Sequence, residues 1–202
     1  YLLNGQYYSI YLCPMTKNSK IVLAITGASG SIYAQRLLFH LEQLKGQYNL
    51  VDIVFSSNAR DVWKHELENS SYENIKFRVF DNHDFSAPFA SGSAGYDTMI
   101  VCPASMGTMG RVANGISNDL ISRSADVMLK ERRKLIFVAR ETPYNLIHLK
   151  NMTQLSEAGA IILPATPSFY SRPKNIDEVV DTVVIRILQL IGFELDAYRW
   201  GE

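Results

Sequence analysis

Apolar residues recur along this chain in two registers. Short unbroken runs occupy residues 21–26, 51–55, 98–102, 135–139 and 160–163, with a weaker run at 76–80. Runs of this length, nearly free of charge, suit strands buried on both faces. Between them apolar positions return at helical spacing, as Ile32, Leu37, Leu38, Leu41 and Leu44 do within residues 31–44. Further helices are predicted over 59–67, through the stretch that ends near Arg133, around 146–158 and over 176–191, with Asn175 or Asp177 near the last start. Strand and helix alternate almost throughout. That order predicts a parallel sheet with helices on both faces and right-handed crossovers, an α/β three-layer sandwich of Rossmann-like or flavodoxin-like form.

In such a sheet the ligand crevice lies beyond the carboxyl ends of the strands. Four stretches fall there: Thr26-Gly27-Ala28-Ser29-Gly30, Pro103-Ala104-Ser105-Met106-Gly107-Thr108, Ala139-Arg140-Glu141-Thr142-Pro143 and Phe169-Tyr170-Ser171-Arg172-Pro173. They gather glycines, hydroxyls and arginines, which suit a phosphorylated ligand. The first and second each open a helix, whose free amides favour an anion or a polar ring edge. A ligand-free turn and plain N-capping by Ser105 are the competing readings. A dinucleotide fits poorly. The second strand ends in Ser56-Ser57-Asn58 instead of the carboxylate that holds a ribose, so a mononucleotide is favoured. Tyr170, Arg172 and Arg186 could form a second phosphate clamp. Arg186 lies among Val183, Val184, Ile185, Ile187 and Leu188, and is expected to need a partner against burial; an ion pair would serve as well.

Composition narrows the picture. The chain has 202 residues, 47% of them hydrophobic and 11% aromatic, ample for one full core. Lys plus Arg equals Asp plus Glu at 20 each, so no bulk field attracts nucleic acid or an anionic membrane. Cys13 and Cys102 form no disulfide framework, which fits a reducing cytoplasm. No apolar run approaches the ~20 residues of a membrane span. The four histidines show no metal-ligand spacing, and no metal site is expected. Residues 1–19 read as an arm or extension and 20–202 as a single domain, with Met15 a natural start and residues 1–14 lacking the features of a signal peptide.

Taken together, the chain resembles the UbiX-type flavin prenyltransferases over about residues 20–202. The resemblance rests on the Thr-Gly-Ala-Ser-Gly start, Ala90-Ser91-Gly92-Ser93, Ala125 through Arg133 (ADVMLKERR), Arg140-Glu141-Thr142-Pro143 and Pro167 through Pro173 (PSFYSRP). It implies a flavodoxin-like fold, a trimer or dodecamer with the site at a subunit interface, and no metal. The implied activity joins a dimethylallyl group from dimethylallyl phosphate to N5 and C6 of reduced FMN. The product, prenylated FMN, would serve a UbiD-type decarboxylase. By position, Gly27, Ala28, Ser29, Ser56, Ser105, Met106, Gly107, Thr108 and Arg140 would contact FMN. Phe85, Ser91, Arg123, Lys130, Glu141, Tyr170 and Arg186 would surround the donor. Ser29 and Glu66 would handle the proton at N5, and Glu141 or the released phosphate the last proton. Ala104 stands where many relatives carry cysteine. An FMN-dependent decarboxylase, of aromatic acids or of peptidyl cysteine, and a non-catalytic flavin carrier are the alternatives.

Overall fold

The computed structural model describes residues 15–198 and 201; the expectation for residues 1–14 lies outside them. Six strands, β1 (Lys20–Ile25), β2 (Leu50–Phe55), β3 (Arg78–Phe80), β4 (Thr98–Ala104), β5 (Lys134–Ala139) and β6 (Ile161–Pro164), form one sheet. Every pairing is parallel, in the order β3-β2-β1-β4-β5-β6. Six helices alternate with them: α1 (Ser31–Gln43), α2 (Ala59–Leu67), α3 (Met106–Ala113), α4 (Leu120–Lys130), α5 (Leu146–Glu157) and α6 (Ile176–Ile191).

The alternation of β1 shows why both faces are covered. Ile21, Leu23 and Ile25 join one core with Leu37, Leu41, Trp63, Val184 and Ile187. Val22 and Ala24 point the other way, into a core with Met109, Ile121, Met128 and Leu155. Successive side chains of a strand face opposite layers, so an all-apolar strand needs helices on each side. α1, α2 and α6 make one layer, α3, α4 and α5 the other. One charge breaks the pattern. Asp52 of β2 is buried, and it is compensated by Arg78 at 2.7 and 2.9 Å and by the Tyr96 hydroxyl.

Start and stop signals explain the helix bounds. Asn175 caps α6 by accepting the Glu178 amide, and Gly192 ends it in the left-handed conformation. Asp119 and Asn145 cap α4 and α5 in the same way through Ser122 and His148. The chain leaves β1 toward β2 on one side and reaches β4 on the other. The crevice at that reversal, above β1 and β4, is where the sheet opens to a ligand. Residues 15–19 pack on the domain: the Met15 amide bonds to the Gly192 carbonyl at 3.2 Å, and Ser19 is buried.

Candidate functional site

Thr26 directly follows β1 and braces the crevice. Its hydroxyl donates to the Pro103 carbonyl at 2.6 Å and accepts the Ser105 amide at 3.0 Å and the Ala28 amide at 3.4 Å. One buried oxygen thereby ties the turn after β1 to the turn after β4. Gly27 follows because α2 crowds it; a Cβ there would sit 3.1 Å from the Asn58 Cβ. Gly30 has φ 110°, which a side chain would strain.

The anion expected at the start of α1 is the protein's own. Glu66, on α2, accepts the Gly30 amide at 2.9 and 3.0 Å and the Ser31 amide at 2.8 Å. Burial resists its ionisation, but the Ser29 hydroxyl and the two amides outweigh burial and hold its pKa below the ordinary carboxylate value. Ser29 itself is exposed, directly beside this carboxylate. The turn after β1 therefore presents a charged acceptor, and a ligand phosphate has to bind elsewhere.

The turn after β4 presents donors. Ser105 caps α3, accepting the Thr108 amide at 3.2 Å, and its hydroxyl lies 3.0 Å from that of Thr108. Met106 is buried beneath, while Gly107 is exposed, and a Cβ there would meet nothing nearer than Arg111 Nη1 at 3.9 Å. Ser56, after β2, closes the other flank; its amide bonds to the Ile25 carbonyl at 2.9 Å. Arg140, after β5, is anchored by its amide to the Ala104 carbonyl at 3.4 Å. Its stem passes beside the Gly30 turn, and Nη1 lies 3.9 Å from Glu141 Oε1. Tyr33 of α1 reaches across to the Ala165 carbonyl at 3.3 Å, and burial raises its pKa. The crevice thus unites Gly27, Ala28, Ser29, Ser56, Glu66, Ser105, Met106, Gly107, Thr108, Arg140 and Glu141.

The remaining expected residues belong to other segments of the chain. α4 runs back from the crevice, so Lys130 at its end stands by the start of β5, on the opposite rim of the sheet. Lys130 pairs there with Glu131, and Arg133 donates to the Gly92 carbonyl at 2.7 Å. Arg123, further up α4, donates to the Ala90 carbonyl at 3.1 Å and so holds the Ser91 segment. Ser91 and Phe85 are both exposed, Phe85 by 49%. Tyr170 is 67% exposed on the loop after β6. Arg186 departs from expectation: it is exposed on the outer face of α6, and its neighbours turn their apolar chains inward. No burial has to be compensated there. It lines an open groove of about 530 Å³ with Ser168, Ser171, Thr182 and Tyr198. Arg172 holds a left-handed backbone, φ 55°, and does not line that groove.

Thr26, Tyr33, Asn58 and Arg111 were not among the expected contacts. Thr26 stood inside the quoted turn, and its place at a buried strand end was the available signal. Among the described residues no three or more His, Cys, Asp or Glu side chains gather to hold a metal, and no helix is long and apolar enough to cross a membrane.

A parallel sheet opening at its reversal onto a hydroxyl-and-amide cradle defines a mononucleotide-type α/β protein. The Flavoprotein family model matches residues 13–188. The flavin prenyltransferase UbiX of Methanocaldococcus jannaschii is 45% identical over 185 residues, covering 90% of this chain and 98% of that protein. The crystal structure of AnUbiX (PadA1) in complex with FMN and dimethylallyl pyrophosphate superposes with a TM-score of 0.86 at 40% identity, covering 92% of this chain and 98% of that one. The dodecameric FMN-dependent UbiX-like decarboxylase of Escherichia coli O157:H7 gives 0.85 at 35% identity, covering 91% and 100%. The chain belongs to the Flavoprotein family, in its UbiX flavin prenyltransferase branch.

Proposed function

We propose that this chain is a metal-independent flavin prenyltransferase. It joins the dimethylallyl group of dimethylallyl phosphate to N5 and C6 of reduced FMN and releases phosphate. The observation that carries the reading is the pair of turns braced through Thr26, one offering an ionised Glu66 and the other hydroxyl donors. That donor set fits FMN. Ser56 and Ser105 supply hydroxyls, Thr108 backs Ser105 from within, Gly107 leaves open space above the start of α3, and Arg140 adds positive charge beside them.

Glu66 is a base here and not an acid. Its lowered pKa keeps it ionised near neutrality, so with Ser29 beside it the carboxylate can accept the proton that N5 gives up. Departure of an allylic phosphate leaves positive charge on the prenyl carbons and negative charge on the phosphate. Arginines around the phosphate stabilise the leaving charge, and an aromatic face stabilises the cation. Arg140 and Glu141 follow the strand that opens on the crevice, whereas Lys130 ends α4 on the opposite rim of the sheet. A homo-oligomer resolves that division. The face bearing Phe85, Ser91 and Arg123 docks over a neighbour's crevice, and one site takes residues from more than one subunit. The product then passes to a UbiD-type decarboxylase.

The test is to mix the protein with reduced FMN and dimethylallyl phosphate without metal and without oxygen, and to weigh the flavin. A mass gain of one prenyl group supports the reading, and an unchanged flavin mass defeats it.

A further inference from the structure

Arg111 is absent from every expected contact, yet its side chain folds back along α3 to the cradle. Nη2 donates to Thr108 Oγ1 and to Asp119 Oδ2, each at 3.3 Å. Asp119 is itself held, since Oδ1 accepts the Ser122 amide at 2.7 Å as the cap of α4. The guanidinium is thereby fixed from below and aimed at Thr108.

The consequence lies in the direction of the hydroxyl bonds. Thr108 is only 2% exposed, and a buried hydroxyl proton needs an acceptor. A guanidinium offers donors alone, so Arg111 occupies a lone pair of Thr108 and cannot receive its proton. Among the described residues the acceptor recorded within reach is Ser105 Oγ, at 3.0 Å. Ser105 Oγ also accepts the Thr108 amide at 3.2 Å. With two donors already on its oxygen, Ser105 is left to donate its own proton outward from the cradle.

We propose that Arg111 is a positioning residue that, through Thr108, fixes Ser105 as a hydrogen-bond donor to an acceptor atom of FMN. The inference rests on the reading of this cradle as the FMN site. Without Arg111 the Ser105–Thr108 bond can reverse. Ser105 then spends its proton on Thr108 and offers the flavin nothing.

Titrations of FMN, followed by flavin fluorescence, test this with Arg111→Met, Thr108→Val, Ser105→Ala and the Arg111→Met/Ser105→Ala pair. Loss of one hydrogen bond predicts FMN binding about five- to tenfold weaker in Arg111→Met and in Ser105→Ala, while Thr108→Val, which leaves Ser105 no inner acceptor, should bind FMN within about twofold of the wild type. The double variant should bind no more weakly than Ser105→Ala alone, because both changes remove the same bond. Arg111→Lys, which keeps a donor within reach, should recover most of the affinity. Wild-type affinity in Arg111→Met beside a weakened Ser105→Ala overturns the inference and leaves the FMN site standing. Additive losses in the double variant also overturn it. Wild-type affinity in Ser105→Ala also overturns the inference, and a wild-type protein that binds no FMN overturns the FMN reading of the cradle itself. If Arg111→Met does not fold, Thr108→Val still tests the inference, because an affinity as weak as that of Ser105→Ala overturns it.

Discussion

Replacing Thr26 by valine keeps the shape of a fully buried side chain and removes one oxygen. That oxygen holds three bonds: to the Pro103 carbonyl at 2.6 Å, from the Ser105 amide at 3.0 Å and from the Ala28 amide at 3.4 Å. The last is long and weak, so two groups carry the cost. Leaving a buried polar group unpaired costs about 1–3 kcal/mol, and a methyl in place of the hydroxyl returns roughly 1 kcal/mol of burial. The net loss is about 1–5 kcal/mol, with a middle value near 3 kcal/mol. For a domain of this size that middle value lowers the melting temperature by roughly 6–12 °C. Thr26→Ser sharpens the comparison. It loses a methyl and keeps every bond, so a loss of about 1 kcal/mol is expected. Melting curves of the two variants at one protein concentration decide the matter. If valine proves as stable as the wild type, or more stable than serine, Thr26 acts by packing and the brace between the two turns is refuted. FMN affinity should follow the same order, since both turns shift when the brace is lost.

Glu66→Gln should still bind FMN but stall product formation, and turnover at the wild-type rate would count against its role as base. The same carboxylate sets a pH dependence. Its folded pKa is lowered from 4.5, so its contribution to stability is complete above that value and is lost as pH falls below it, through the lowered value. Denaturant melts across that acid range should flatten in Glu66→Gln; an unchanged slope would contradict the capping geometry. Gly92→Ala would drive a Cβ into the Glu131 carboxylate and push that flexible side chain away from Lys130. Stability should hardly change while the KM for the allyl phosphate rises severalfold; steady-state kinetics would show either. Arg123→Ala and Arg140→Ala should each be inactive alone yet regain activity when unfolded and refolded together, because a shared site can draw its two intact halves from different subunits. Absence of any recovery would confine the site to one chain.

Most of the architecture was legible because β strands buried on both faces write themselves as apolar runs. The predicted bounds of α2 and α6 coincide with those observed. β3 was legible only in part: it is three residues long at the sheet edge, too short for its pattern to stand out. The helix-rich stretch divides into α3 and α4 where Gly115 takes a left-handed backbone and Asp119 caps the second helix, a break of a few residues. Arg186 shows the limit from another side. Apolar neighbours in sequence suggested burial, but on a helix the residues at 183, 184, 187 and 188 share the inner stripe and position 186 points away. The filling of the α1 start by Glu66 was hidden for a different reason: the two meet across 36 residues, and no local pattern records such a pairing.

That internal pairing orders the rest of the chemistry. The start of α1 is the strongest anion site that a turn after a first strand can offer, and here a carboxylate of the protein already occupies it. A ligand phosphate placed beside Glu66 would meet a like charge. Under the proposed reaction the negative groups of both reactants go to the arginines and hydroxyls at the flanks, which leaves the centre for the part of the flavin that loses a proton. The same arrangement disfavours a simple carrier, which needs one phosphate cradle and no fixed base. It also fits the placing of Lys130 on the rim opposite the crevice. A second cluster of cations inside one crevice would pair with Glu66 and neutralise the base, whereas cations brought by a neighbour can approach the donor phosphate from its far side.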